Sequence, residues 1–168
     1  VRADVALHNF VVRLVRNPYY GSILEIPDEA YNKIMESNVR SNLWLAKMVA
    51  PDMIEKKCGS IAITASTGAF GPSDVLGTYN ISKLADIALV RNLAMELGPH
   101  GIRVNAICPG LVKTDFAKAL WDNPEGERRA NEITPLRRLG EPDDFKGIAV
   151  FLGSNASSWI TGQAMTVC

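Results

Sequence analysis

Three observations in the sequence predict an α/β fold built on a parallel sheet. Short and almost wholly apolar runs, Ser60 to Ala65 and Ile102 to Cys108, read as strands covered on both faces. Longer segments with helical periodicity alternate with these runs. Each run also ends in a turn: a Gly- and Pro-containing loop after the first, Pro109-Gly110 after the second. Right-handed crossovers would then bring all strand C-termini to one sheet edge, where open α/β sheets bind their ligands.

The elements follow in order. Asp4 to Asn9 reads as a short strand, and Phe10 to Gly21 as a loop. Pro27 with Asp28 and Glu29 opens a helix, placing proline in the first turn and carboxylates at the positive dipole end. That helix is expected to reach the 50s, to be kinked or interrupted at Pro51, and to close at Cys58-Gly59 on a left-handed glycine. After the strand from Ser60 comes a loop with Gly68, Gly71, Pro72 and Gly77, then a helix from about Thr78 to Leu97. Its row Ile81, Ala85, Leu89, Leu93 and Leu97, flanked by Leu84, Ala88 and Met95, predicts burial against the sheet and against a second helix, of this or another subunit. Beyond Ile102 to Cys108, the segments Thr114 to Trp121 and Glu125 to Ile133 read as short helices. Glu141-Pro142-Asp143-Asp144 opens a last helix ending near Gly153. A turn from Ser157 to Gly162 leads to a final strand, Ala164 to Val167. With no repeat or linker, residues 1–168 are expected to form one domain.

Composition excludes several function classes. Eighteen basic residues balance eighteen acidic ones, so no nucleic-acid stripe or membrane-surface patch is expected. No apolar run reaches the length of a membrane span. Cys58, Cys108 and Cys168 are far apart and odd in number, which fits a reducing, cytoplasmic compartment. His8 and His100 have no partners at metal-ligand spacing, so no metal role is expected.

The chemistry concentrates at Tyr79 and Lys83, four residues apart. Four helical residues turn through about 400°, so phenol and ammonium leave one face. A cation beside a phenol favours phenolate and makes tyrosine usable in proton transfer. Ser66 follows one expected strand, Pro109-Gly110 follows the next, and Tyr79 and Lys83 begin the helix leaving the same edge. Each feature has a plainer reading. Asn38 is equally an exposed polar residue of its helix, and Ser66 equally a loop-start residue bonding its own backbone. Thr114 is also a candidate N-cap. Phe116, Leu120 and Trp121 suit an apolar substrate pocket or simple core packing.

At these residues the chain resembles the short-chain dehydrogenase/reductase (SDR) family. The resemblance rests on Tyr79 and Lys83 in Tyr-x-x-x-Lys, Ser66 in Ile-Thr-Ala-Ser and Asn38 in Glu-Ser-Asn-Val. It extends to the segment Gly101 to Thr114, to Arg138-Leu-Gly-Glu-Pro-Asp-Asp144 and to Ile160-Thr-Gly-Gln163. Asn17-Pro18-Tyr19-Tyr20-Gly21 and Leu120-Trp121 look most like carbonyl reductases and alcohol dehydrogenases. The resemblance implies a Rossmann-like doubly wound parallel sheet and hydride transfer between NAD or NADP and a small carbonyl or secondary alcohol. It implies that Tyr79 exchanges a proton with the substrate oxygen, which Ser66 hydrogen-bonds. Lys83 would lower the tyrosine pKa and bind the nicotinamide ribose, and Asn38 would hold a water linking Lys83 to solvent. Asn9, Pro109, Gly110, Val112 and Thr114 would complete the cofactor contacts. A homo-oligomer, dimer or tetramer, through the long helices is implied as well.

The chain also departs from the family pattern. No Gly-x-x-x-Gly-x-Gly cradle for a pyrophosphate occurs. The chain starts at what resembles the family's fourth strand, so an incomplete, N-terminally truncated fold lacking roughly 80 residues is expected. His8-Asn9-Phe10-Val11 stands where the family has Asn-Asn-Ala-Gly, and Cys168 where it has Asp. Severely weakened cofactor binding is the expected consequence. The alternative is a truncated, non-catalytic relative that assembles with a full-length one; a structural domain with relic catalytic residues is a third reading.

Overall fold

The computed structural model describes residues 19–115 and 117–168. The expected strand Asp4 to Asn9, the start of the following loop, and Phe116 lie outside the described residues.

The first helical run divides into α1 (Asp28–Met35) and α2 (Ser41–Lys56), joined by a π-helical turn, Glu36–Arg40. Side chains enter the backbone ladder there. The Asn42 amide donates to the Asn38 carbonyl at 2.6 Å, and the Ser41 hydroxyl to the Ser37 carbonyl at 2.6 Å. Such donors compete for carbonyls four residues back and widen the turn. Two expectations fail in this run. Pro51 lies inside α2 without interrupting it; it stands on the exposed face, where the carbonyl it leaves without a helical partner is open to solvent. The left-handed cap falls on Lys57 (φ 52°), whose N–H bonds the Ile54 carbonyl, rather than on Gly59. Gly59 already opens strand β1 (Gly59–Thr64), and a Cβ there would come within 2.6 Å of Met53 Sδ.

Strands β1, β2 (Ile102–Pro109) and β3 (Ala164–Val167) form a parallel sheet in the order β1-β2-β3. Ile61 pairs with Val104 and Ile63 with Ala106, so these side chains share a face. Against that face pack α2 and α3 (Gly77–Leu97), in a core that includes Ile63, Val90, Leu97, Val104 and Ala106. Each fully buried aliphatic side chain of this kind contributes about 1.5–3 kcal/mol. The opposite face meets α6 (Lys146–Gly153): Ser60 Oγ donates to the Leu152 carbonyl at 2.7 Å, and the Arg103 guanidinium donates to Leu152, Ser154 and Ser157. Helices on both faces make the sheet Rossmann-like, as expected. Among the described residues, β1 pairs with β2 alone.

The apolar row expected along α3 is only half right. Leu93 and Leu97 are buried, but Ile81 is 43% exposed. A row of fourth residues advances by about 40° per step and spirals off the contact face. The face that is buried runs through Lys83, Asp86, Ile87, Val90, Leu93 and Leu97. The helix expected from Thr114 is shorter, α4 (Lys118–Trp121), followed by α5 (Pro124–Ile133). The last helix begins with a 3-10 turn, Pro142–Phe145. Arg138 clamps it bidentately at Asp144, 2.7 and 2.8 Å, and holds that exposed carboxyl well below the usual range.

Gly101 turns the chain from α3 into β2 at φ +75°, and a Cβ there would lie 2.7 Å from the Lys57 carbonyl oxygen. Both the left-handed backbone and a contact with rigid main chain oppose substitution. Gly101→Ala should lower unfolding stability by about 1–3 kcal/mol in urea titration.

Candidate active site

Four elements meet at the C-terminal edge of the sheet. Ser66 follows β1, the first turns of α3 carry Tyr79 and Lys83, the end of β2 leads into Pro109 to Val112, and the π turn carries Asn38. A cavity of about 560 Å³ opens there. Asn38, Tyr79, Lys83, Pro109, Gly110, Val112 and Thr114 line it together with Tyr20, Leu76, Leu111 and Leu120. Ser66 is not part of the lining; it reaches the cavity through its hydrogen bond to the Tyr79 phenol. Asn9 lies outside the described residues, and Trp121 does not face the cavity.

Ser66 is positioned by its backbone. It is extended (φ −165°, ψ 153°) and caps the short 3-10 turn Thr67–Phe70, its Oγ accepting from the Gly68 N–H at 3.1 Å. With that lone pair used, its O–H remains to donate toward the phenol oxygen. Gly68 leaves room in this turn for the Asn80 side chain: a Cβ would stand 2.5 Å from Asn80 Oδ1, which would have to move.

The buried polar groups below Tyr79 are paired one to the next. Lys83 Nζ donates to the Thr64 carbonyl at 2.9 Å and forms an ion pair with Asp86 Oδ2 at 3.1 Å. It lies 5.9 Å from the centre of the Tyr79 ring. The Asn42 amide donates to Asp86 Oδ1 at 2.9 Å. Asn38 is 5% exposed and donates to Ser82 Oγ at 2.8 Å, which in turn donates to the Tyr79 carbonyl at 2.7 Å. The plain reading of Asn38 as an exposed helical residue is therefore excluded.

Sequence reasoning missed Asp86, Asn42 and Ser82. The available signal was spacing: Asp86 stands three residues after Lys83 and Asn42 four after Asn38, each on the same helix face.

Electrostatics depart from the expectation drawn from Lys83. The Tyr79 phenol is raised above the ordinary tyrosine value, first by burial, with the Asp86 carboxylate and Tyr20 adding to the rise while the Ser66 hydrogen bond opposes it. Burial also raises the Asp86 carboxyl, against the pull of Lys83 and the hydrogen bonds from Asn42 and Lys83.

The wall of the cavity is held from behind. Val112 bridges to Gly140 in parallel, with Gly140 N–H bonding the Leu111 carbonyl at 3.0 Å and Lys113 N–H the Gly140 carbonyl at 2.8 Å. Thr114 accepts weakly from the Ala117 N–H at 3.4 Å, so it caps a turn ahead of α4 while lining the cavity. Gly110 has a packing reason of its own: a Cβ would meet Cys168 Cβ at 2.6 Å.

Comparison with known proteins matches residues 2–168 to the family described as enoyl-(acyl carrier protein) reductase. Human dehydrogenase/reductase SDR family member 4 is 41% identical over 171 residues, covering 99% of this chain and 62% of that protein. The chain thus spans about three fifths of the curated relatives it matches. Among solved structures, a 7α-hydroxysteroid dehydrogenase complexed with NADH and 7-oxo glycochenodeoxycholic acid superposes with a TM-score of 0.84 at 38% identity, over 90% of this chain and 58% of that one. A gluconate 5-dehydrogenase from Burkholderia cenocepacia J2315, in complex with NADP and tartrate, gives a TM-score of 0.85 at 26% identity, over 88% of this chain and 58% of that one.

A phenol raised on folding supports the fold below its unfolded value and loses that support as pH climbs through the folded value. Tyr79→Phe should therefore flatten the alkaline loss of stability, measured as urea midpoints across alkaline pH. Ser66→Ala should move the phenol midpoint further upward in a tyrosinate absorbance titration, since the opposing hydrogen bond is gone.

Proposed function

Since the chain belongs to the short-chain dehydrogenase/reductase family, we propose that it carries the proton-handling side of an NAD- or NADP-dependent oxidoreductase, of the carbonyl reductase kind, acting on a small carbonyl or secondary alcohol. The observation that supports this most is the Tyr79 phenol, hydrogen-bonded by Ser66 at a cavity whose other wall is Pro109 to Val112.

In reduction Tyr79 gives its proton to the substrate oxygen, and in oxidation it takes that proton back. With substrate bound, the single Ser66 hydroxyl proton would turn from the phenol to the same oxygen and stabilise the charge that develops on it. Lys83 sits beneath Tyr79 and would meet the nicotinamide ribose. Asn38 borders the cavity near Lys83 and would hold a water leading to solvent. When bound, the nicotinamide supplies or accepts the hydride at the substrate carbon.

The residues present suit the nicotinamide end of the cofactor. Pro109, Gly110 and Val112 offer a closely approachable wall, Thr114 a hydroxyl, and Tyr79 and Lys83 donors across the same cavity. The 168 residues contain no Gly-x-x-x-Gly-x-Gly cradle for the pyrophosphate. Leu76, Leu111 and Leu120 favour an apolar substrate. Three free cysteines suit a cytoplasmic setting, and no described helix is long and apolar enough to cross a membrane.

The long helices also support assembly into a dimer or tetramer. Trp44 and Met48 on α2 and Leu84 on α3 are 52%, 74% and 51% exposed. Apolar surface of this kind marks contact faces. Met48→Lys should shift the protein toward monomer in analytical ultracentrifugation; an unchanged mass would remove α2 from the contact.

Turnover is tested by titrating NADH and NADPH by fluorescence and following carbonyl reduction by nicotinamide absorbance. Tyr79→Phe should cut kcat by about 10²–10⁴-fold while leaving dinucleotide affinity within about threefold. Equal rates for both proteins would overturn the role of Tyr79. Absence of dinucleotide binding, together with mixed assembly with a full-length relative, would favour a non-catalytic partner.

A further inference from the structure

Asp86 is a carboxylate with no solvent exposure, placed directly behind the proposed proton donor. Tyr79, Lys83 and Asp86 stand at positions i, i+4 and i+7 of α3, and so share one helix face. The Asp86 carboxylate is held at both oxygens, by Asn42 from α2 at 2.9 Å and by Lys83 at 3.1 Å. The Lys83 ammonium is directed at Asp86 and at the Thr64 carbonyl, which ends β1.

A buried ion pair is a weak device for stability, because two desolvation costs offset its attraction and apolar side chains fill the same volume at least as well. What the pair does supply is a fixed position for Lys83 and a nearly neutral charge sum below the phenol. Resting on the oxidoreductase reading above, we propose that Asp86 is a positioning residue that anchors the Lys83 ammonium at the end of β1 and cancels its charge at Tyr79, biasing the phenol toward proton donation and the site toward carbonyl reduction.

The groups around the phenol pull both ways. Tyr20, from the segment preceding α1, and Asp86 both disfavour phenolate, whereas the Ser66 hydrogen bond favours it. The Cys108 thiol, near the end of β2, is pushed upward by burial, against the pull of a backbone hydrogen bond at Ser66 and of Lys83. Asp86, 3.1 Å from the Lys83 ammonium, is the carboxylate that opposes it, and removing that charge leaves the ammonium uncompensated.

The test uses the full chain carrying ¹³Cζ-labelled tyrosine, with the Tyr79 resonance assigned by its loss in Tyr79→Phe. Asp86→Asn preserves size and the acceptor for Asn42. Its Tyr79 midpoint should shift downward from that of the unmodified chain, and Lys83→Met should move it the other way. An unchanged or upward midpoint in a folded Asp86→Asn protein would sink the proposal. If that variant does not fold, the unmodified chain still decides. On acidification Asp86 ¹³Cγ should step above the ordinary carboxylate range, and the Lys83 ¹³Cε resonance should move as that neighbour is neutralised; a Lys83 resonance blind to Asp86 would refute the pairing. These readouts need neither cofactor nor turnover. A failed shift leaves the oxidoreductase reading standing, and absent dinucleotide binding leaves the shift unaffected.

Discussion

One buried ammonium ties the site together. Lys83 is 6% exposed, and its charge is tolerable only because the Thr64 carbonyl and the Asp86 carboxylate accept its hydrogen bonds. The first contact joins the start of α3 to the end of β1; the second brings in α2 through Asn42. An uncompensated charge at this depth would cost several kcal/mol, so the relative placement of the three elements follows from satisfying it. Tyr79, one turn before Lys83, is set by the same constraint, and Ser66 by being two residues beyond Thr64.

The apolar core supplies the rigidity this constraint needs. Val90, Ile87 and Leu97 of α3 pack with Val104 and Ala106 of β2, all within a few percent of complete burial. On the far face the polar groups are satisfied in a dense set around Arg103 and Asn105. Asn105 donates to the Ile160 carbonyl at 2.9 Å and accepts from the Gln163 N–H at 3.1 Å, which delivers β3 alongside β2. Chemistry gathers at the sheet's C-terminal edge because strand ends leave backbone and side-chain polar groups there without sheet partners.

Most elements were legible in the sequence because their signals are local. The apolar runs at Ser60 and Ile102, the Pro27-Asp28-Glu29 start and the helix from Thr78 to Leu97 all fell within a residue or two of the observed ends. The misreadings share a different cause. Whether Pro51 breaks a helix depends on whether its unpaired carbonyl faces water. Whether Gly59 caps a helix depends on where the next strand begins. The buried stripe of α3 depends on which of two neighbouring rows meets the sheet. Burial, not propensity, decided each of these.

By itself the sequence determined the α/β class, the order of the elements and the convergence of Ser66, Tyr79 and Lys83 on one edge, because spacing and periodicity dictate which faces and strand ends those residues occupy. Only the tertiary structure decided the electrostatic character of that edge. Burial and the Asp86 carboxylate raise a phenol that Lys83 was expected to make more acidic, and the π turn at Asn38 buries an asparagine that a regular helix could have left in solvent. Desolvation and pairing arise from groups brought together across 44 residues between Asn42 and Asp86, a distance no local pattern spans.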